Sequence, residues 1–105
     1  MKNLTDLMKQ AQALQAKMGD MQAELEALEV EGTSGGGLVR VTMSGKGAVK
    51  KVAIAPELMK EDEREILEDL IVAASADAKT KSERLAEEKM KSIAGGLPLP
   101  PGFSL

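Results

Sequence analysis

Lysine and arginine are the residues of this chain whose placement could serve a ligand. Lys2, Lys9 and Lys17 fall in the first helical stretch, and Lys79, Lys81, Arg84, Lys89 and Lys91 in the last. Lys81, Arg84 and Lys91 are three and seven residues apart, which puts them on one stripe of a helix. Exposed cations in that arrangement suit a phosphate backbone, and contacts of this kind carry little sequence information. Other chemistry is sparse. The chain has neither histidine nor cysteine, which excludes thiol catalysis, histidine triads, disulfides and the common zinc sites. Gly45-Lys46-Gly47 fails the phosphate-loop pattern, because Arg40 stands at the first glycine and Gly47 at the Ser/Thr position. Gly35-Gly36-Gly37 fails the dinucleotide pattern, with Arg40 at the third glycine. Both are read as turn glycines. Glu87 and Glu88 point to different helix faces and make no acid/base pair. The acids Glu61 to Glu65 read as a helix start rather than a cation site. No catalytic residue, metal, cofactor or small-molecule substrate is implied.

The same cations have a plainer reading. Asp77-Lys81, Lys79-Glu83, Arg84-Glu88 and Glu87-Lys91 are all spaced for pairs along solvated helix faces, each contributing a few tenths of a kcal/mol. The formal charge of −3 also runs against a simple nucleic-acid binder.

The elements that must position these residues are two helices and a small sheet. Leu4, Leu7, Ala11, Leu14, Met18, Met21, Leu25 and Leu28 alternate spacings of three and four, an a/d stripe of about four heptads. The expected first helix runs from an Asn3 cap to about Val30, ~40 Å long. Its seam is expected to pack on the second helix, with Leu14 and Met18 near Leu85 or Ala86. Gly19 interrupts it, and the acids Asp20 to Glu31 crowd its second half. Leu38 to Met43 alternates with period two, and Val39, Val41 and Met43 share a face. Ser44 to Gly47 reads as a hairpin turn, and Ala48 to Ala55, ended by Pro56, as a second strand. Val30 to Ser34 could add a poorer third strand. The second helix is expected over about Asp62 to Ala94, its apolar first half covering the sheet and its charged second half projecting beside the first helix. The predicted fold class is α+β, two long helices flanking an antiparallel sheet of two to three strands. Residues 1–96 form one domain, and 97–105 a proline-rich, flexible tail.

At 105 residues with Phe103 as its only aromatic, one copy would have a thin core. A homodimer is therefore expected, with Val39, Val41, Met43, Val52 and Ile54 at the interface. No apolar run is long enough to span a bilayer, so no membrane partner is expected. An alternative function is a non-enzymatic helical adaptor that binds a partner chain through the heptad seam of the first helix, its Met8, Met18 and Met21 tolerating varied partners.

Three segments, GGGLVRVTMSGKGAVKKVAIAPEL, LEDLIVAASADAK and EKM followed by GGLPLPPGF, occur in order behind the Met- and Gln-rich first helix. Together they make the chain resemble the YbaB/EbfC family of bacterial nucleoid-associated proteins. Ala55 and Ala76 depart from residues often seen in that family. The resemblance implies a homodimer with a central β body and helices projecting like tweezer arms. It also implies double-stranded DNA as partner, a place in the cytoplasm at the nucleoid, and an influence on nucleoid organisation and gene expression. The eight cations from Lys2 to Lys91 are the expected DNA contacts.

Overall fold

The computed structural model describes residues 4–95. The expected Asn3 cap, Lys2 and the 97–105 tail lie outside them. Helix α1 spans Leu4–Ala27, strands β1, β2 and β3 span Glu29–Ser34, Val39–Ser44 and Val49–Ile54, and helix α2 spans Arg64–Gly95. The strands form one antiparallel sheet in the order β1-β2-β3. The fold is α+β, and Glu29 to Ser34 is a full third strand rather than a marginal one.

Helix α1 stops three residues short of Val30. No glycine or proline marks its end, and the stop is tertiary. Val30 pairs with Met43, and the Gly45 amide from the hairpin turn donates to the carbonyls of Leu25 (2.8 Å) and Leu28 (3.0 Å). Those carbonyls would otherwise be unsatisfied at a helix end. Gly45 can come so close only because it lacks a side chain, since a Cβ there would stand 2.8 Å from the Leu25 carbonyl oxygen.

Turn chemistry closes the sheet. Gly35, Gly36 and Gly37 all have positive φ in the 3₁₀ turn joining β1 to β2, where glycine is tolerated without strain. Lys50 has no cross-strand partner: Thr42 pairs with Lys51 and Met43 with Val49, a bulge in β3.

The core lies between β2 and the first half of α2. Val39, Val41 and Met43 are buried with Leu58, Ala74 and Ala78. Leu58 belongs to the 3₁₀ turn Pro56–Leu58 that leads towards α2. Alanine at 74 and 78, and glycine at 32, let helix and sheet backbones nearly touch. The outer edge of β1 is satisfied by α2 itself. Asp77 Oδ2 accepts from the Thr33 amide at 3.0 Å, and Lys81 Nζ donates to the Glu31 carbonyl at 2.8 Å. That edge is thereby closed to further strand pairing. The other edge, β3, has no such cover among the described residues.

The two helices run side by side from the sheet, but not in the expected register. Met21 and Leu25 are the buried α1 residues, and they line a cleft with Ser82 and Ala86 of α2. Lys89 pairs with Glu24, and Lys17 and Asp20 lie by Ser92 and Ile93. Met18 is half-buried, whereas Leu14 is 41% exposed, and it is Met21 and Leu25 that stand with Ala86. Lys17 already stands beside Ser92 and Ile93, so the first turns of α1 run beyond the described part of α2. Leu4, Leu7 and Met8 are exposed for the same reason.

Candidate nucleic-acid interface

The expected cations divide by what they touch. Lys81 lies 3.2 Å from Asp77 and also bonds the β1 backbone. Lys89 joins α2 to α1 through Glu24. Both hold the fold together, and their ammonium groups already have partners. Lys9, Lys17, Lys79, Arg84 and Lys91 are exposed, and none of them belongs to an ion pair found among the described residues. Of the four pairs that spacing allowed on the second half of α2, only Asp77–Lys81 is formed there.

The free cations do not form one patch. Advancing about 100° per residue, Arg84 and Lys91 lie within about 20° of each other, on the α2 flank that carries Lys81 above the β1 edge. Lys79 is turned about 140° from Arg84. It faces the hairpin and lines a cleft there with Lys46. Lys17 flanks the seam between the helices. Lys46 was legible in the sequence only as a turn residue, because nothing local brings it to α2.

Asp77 sits at the centre of this polar edge. The Thr33 amide hydrogen bond holds its carboxyl below the usual carboxylate range, with the Lys81 hydrogen bond as the next contribution. On another face of α2, Ser82 is buried and donates to the Ser44 carbonyl at 3.0 Å. Ser44 Oγ in turn accepts from the Lys46 and Ala48 amides. The hairpin turn is therefore pinned from both helices.

The sheet residues expected at a dimer interface also divide. Val39, Val41 and Met43 are covered by α2 of their own chain, because β2 is the central strand and α2 crosses it. Val52 is 42% exposed and Ile54 half-buried. By register, Ile54 stands opposite Val39, Val52 opposite Val41 and Val49 opposite Met43. Directly opposed residues share a face, so these three continue the core face beyond the reach of α2.

The model of the YbaB/EbfC DNA-binding family matches residues 1–97. The chain belongs to that family. It is similar to a nucleoid-associated protein of Methylocella silvestris, 58% identical over 105 residues, covering 100% of this chain and 98% of the relative. A nucleoid-associated protein of Brucella ovis is 56% identical with the same coverage. These are the names of bacterial DNA-associated proteins, not of enzymes. The fold is shared with the crystal structure of an uncharacterized protein from Helicobacter pylori, with a TM-score of 0.72, 19% identity, and coverage of 91% of this chain and 97% of that one. No helix of the described residues is long and apolar enough to cross a membrane.

Proposed function

We propose that the protein is a homodimer that binds double-stranded DNA with broad or weak sequence preference. In that role it would act at the nucleoid, in the bacterial cytoplasm, on nucleoid organisation and gene expression. The observation that carries this reading is the family match over residues 1–97, supported by relatives named as nucleoid-associated proteins. The charge layout agrees with it. Glu61, Asp62 and Glu63 ahead of α2, with Glu65, Glu68 and Asp69 in its first turns, make this end acidic and repel phosphate there. The unpaired cations Lys9, Lys17, Lys79, Arg84 and Lys91 lie on α1 or the far half of α2. Lysine and arginine reading phosphates alone would bind unrelated duplexes alike. Phe103 is the only aromatic, so there is no platform for stacking unpaired bases.

The thin core supports the dimer. Its largest fully buried apolar side chains are valines, Val39 and Val41. The open β3 edge, with Val49, Val52 and Ile54 on the core face, is the surface a second copy would cover. The test is retention of several unrelated duplexes across a salt series, with molecular mass measured in parallel. Retention that falls steeply with salt and is alike for all sequences is expected. No retention at low salt would sink the DNA reading.

One observation favours a second reading. Leu4, Leu7, Met8 and Leu14 are exposed along α1, so the seam beyond α2 could serve a partner helix in an adaptor. Loss of a protein partner on Leu7→Glu, with DNA retention unchanged, would select it.

A further inference from the structure

We infer that Lys46 of the hairpin turn and Lys79 of α2 form a DNA-phosphate contact at the cleft where the sheet meets the helices. The inference rests on the DNA-binding reading above and adds to it a residue, Lys46, that belongs to the body rather than to the projecting helices.

The cleft measures about 680 Å³. Its floor is apolar, built from Met21, Leu25, Met43 and Ala86, and the two lysines share its lining with one carboxylate, Glu83. Two cations against one anion leave the cleft electropositive in a chain whose formal charge is −3. Neither lysine takes part in an ion pair found among the described residues. Both therefore keep donors for an incoming anion, unlike Lys81 and Lys89.

The position of Lys46 is set in advance. Its amide donates to Ser44 Oγ at 3.2 Å, and Ser82 bonds the Ser44 carbonyl. Gly45 is bonded to the end of α1, and the Gly47 amide to the Ser44 carbonyl. Contacts from both helices and hydrogen bonds within the hairpin thus fix one turn, and the ordering cost of binding there is small. Apolar walls beside a cation strengthen its field on a phosphate. A duplex backbone crossing this cleft would touch body and helix together, whereas Arg84 and Lys91 lie on the other flank of α2.

The test compares two double variants that remove the same charge. Lys46→Ala with Lys79→Ala acts at the cleft. Lys50→Ala with Lys51→Ala acts on β3, where Lys51 opposes Thr42, on the sheet face away from the core. Retention of a duplex of fixed length is measured over a salt series for each, and for the unaltered protein. Each lost phosphate contact lowers the slope of log K against log salt by about 0.9. The cleft variant is expected to lose about 1.8 per engaged protomer, and the β3 variant less than half of that. Equal losses, or a larger loss from the β3 variant, overturn the inference while leaving the DNA reading in place. If the unaltered protein retains no duplex at low salt, the DNA reading itself fails and the cleft contact with it. Glu83→Gln provides a second arm that does not depend on the double variant's folding. Removing the one carboxylate should tighten retention, and unchanged or weaker retention overturns the inference.

Discussion

A methyl group at Gly32 would stand 2.2 Å from the Ala74 carbonyl oxygen and 2.3 Å from the Ala78 nitrogen. Both are backbone atoms of α2, which cannot swing aside as a side chain can. Gly32→Ala should therefore destabilise the protein by about 1–3 kcal/mol or more, seen as a lowered denaturation midpoint. A Cβ at Gly19, within α1, would have nothing within 4 Å. Gly19→Ala should stabilise by about 0.4–1 kcal/mol, and a fall in the midpoint would contradict the open space seen there. Asp77 gives a pH signature. Its folded-state pKa lies below the ordinary carboxylate value, so ionised Asp77 favours the native state. That contribution is complete above the unfolded value of roughly 4 and is lost as pH falls through the folded one. Melting curves between pH 6 and pH 3 should show a shallower acid decline for Asp77→Asn than for the unaltered chain.

At the scale of an element, α1 is one continuous stripe in the sequence and two different surfaces in the fold. Leu25 is 4% exposed and Leu14 is 41% exposed. Leu25→Ala should cost about 2–5 kcal/mol, while Leu14→Ala, lacking a cavity to leave behind, should cost well under that range. Equal losses in a urea titration would mean that a second helix covers Leu14, and so that a partner copy or another chain lies on the seam. The edges of the sheet show a similar asymmetry. Asp77 and Lys81 close β1, and nothing among the described residues closes β3.

For the whole molecule, the consequence is assembly. Val41 is fully buried beneath α2, so Val41→Asp places an unpaired charge in the chain's own core and should unfold it. Val52 opposes Val41 on β3 but is 42% exposed. With the proposed dimer built on β3, Val52→Asp should leave the helical signal intact while halving the mass measured by light scattering. A Val52→Asp protein that remained a full-mass dimer would remove β3 from the interface. Because a dimer doubles the phosphate contacts, the monomer should also show a flatter salt dependence of DNA retention.

Local patterns were enough for much of this. Period-two alternation identified β2 and its buried face, since a strand's side chains alternate whatever surrounds it. The apolar first half of α2, the glycine-bracketed turns and the heptad stripe were legible for the same reason, and the three ordered segments carried the family. Other features arise only when distant residues meet. Gly32 reads as a weak point in a poor strand, and only the approach of Ala74 and Ala78 explains it. The end of α1 at Ala27 depends on an amide from Gly45, and nothing in the residues around 27 signals it. The expected cations were one set in the sequence, yet helix register and partners separated those among the described residues. Lys81 and Lys89 hold the fold, Arg84 and Lys91 face one side, and Lys79 turns to Lys46. Side-chain type and spacing determine which face a residue takes on its own helix or strand. What that face meets depends on where the chain folds back, and that was decided by how closely the small residues let α2 lie on the sheet.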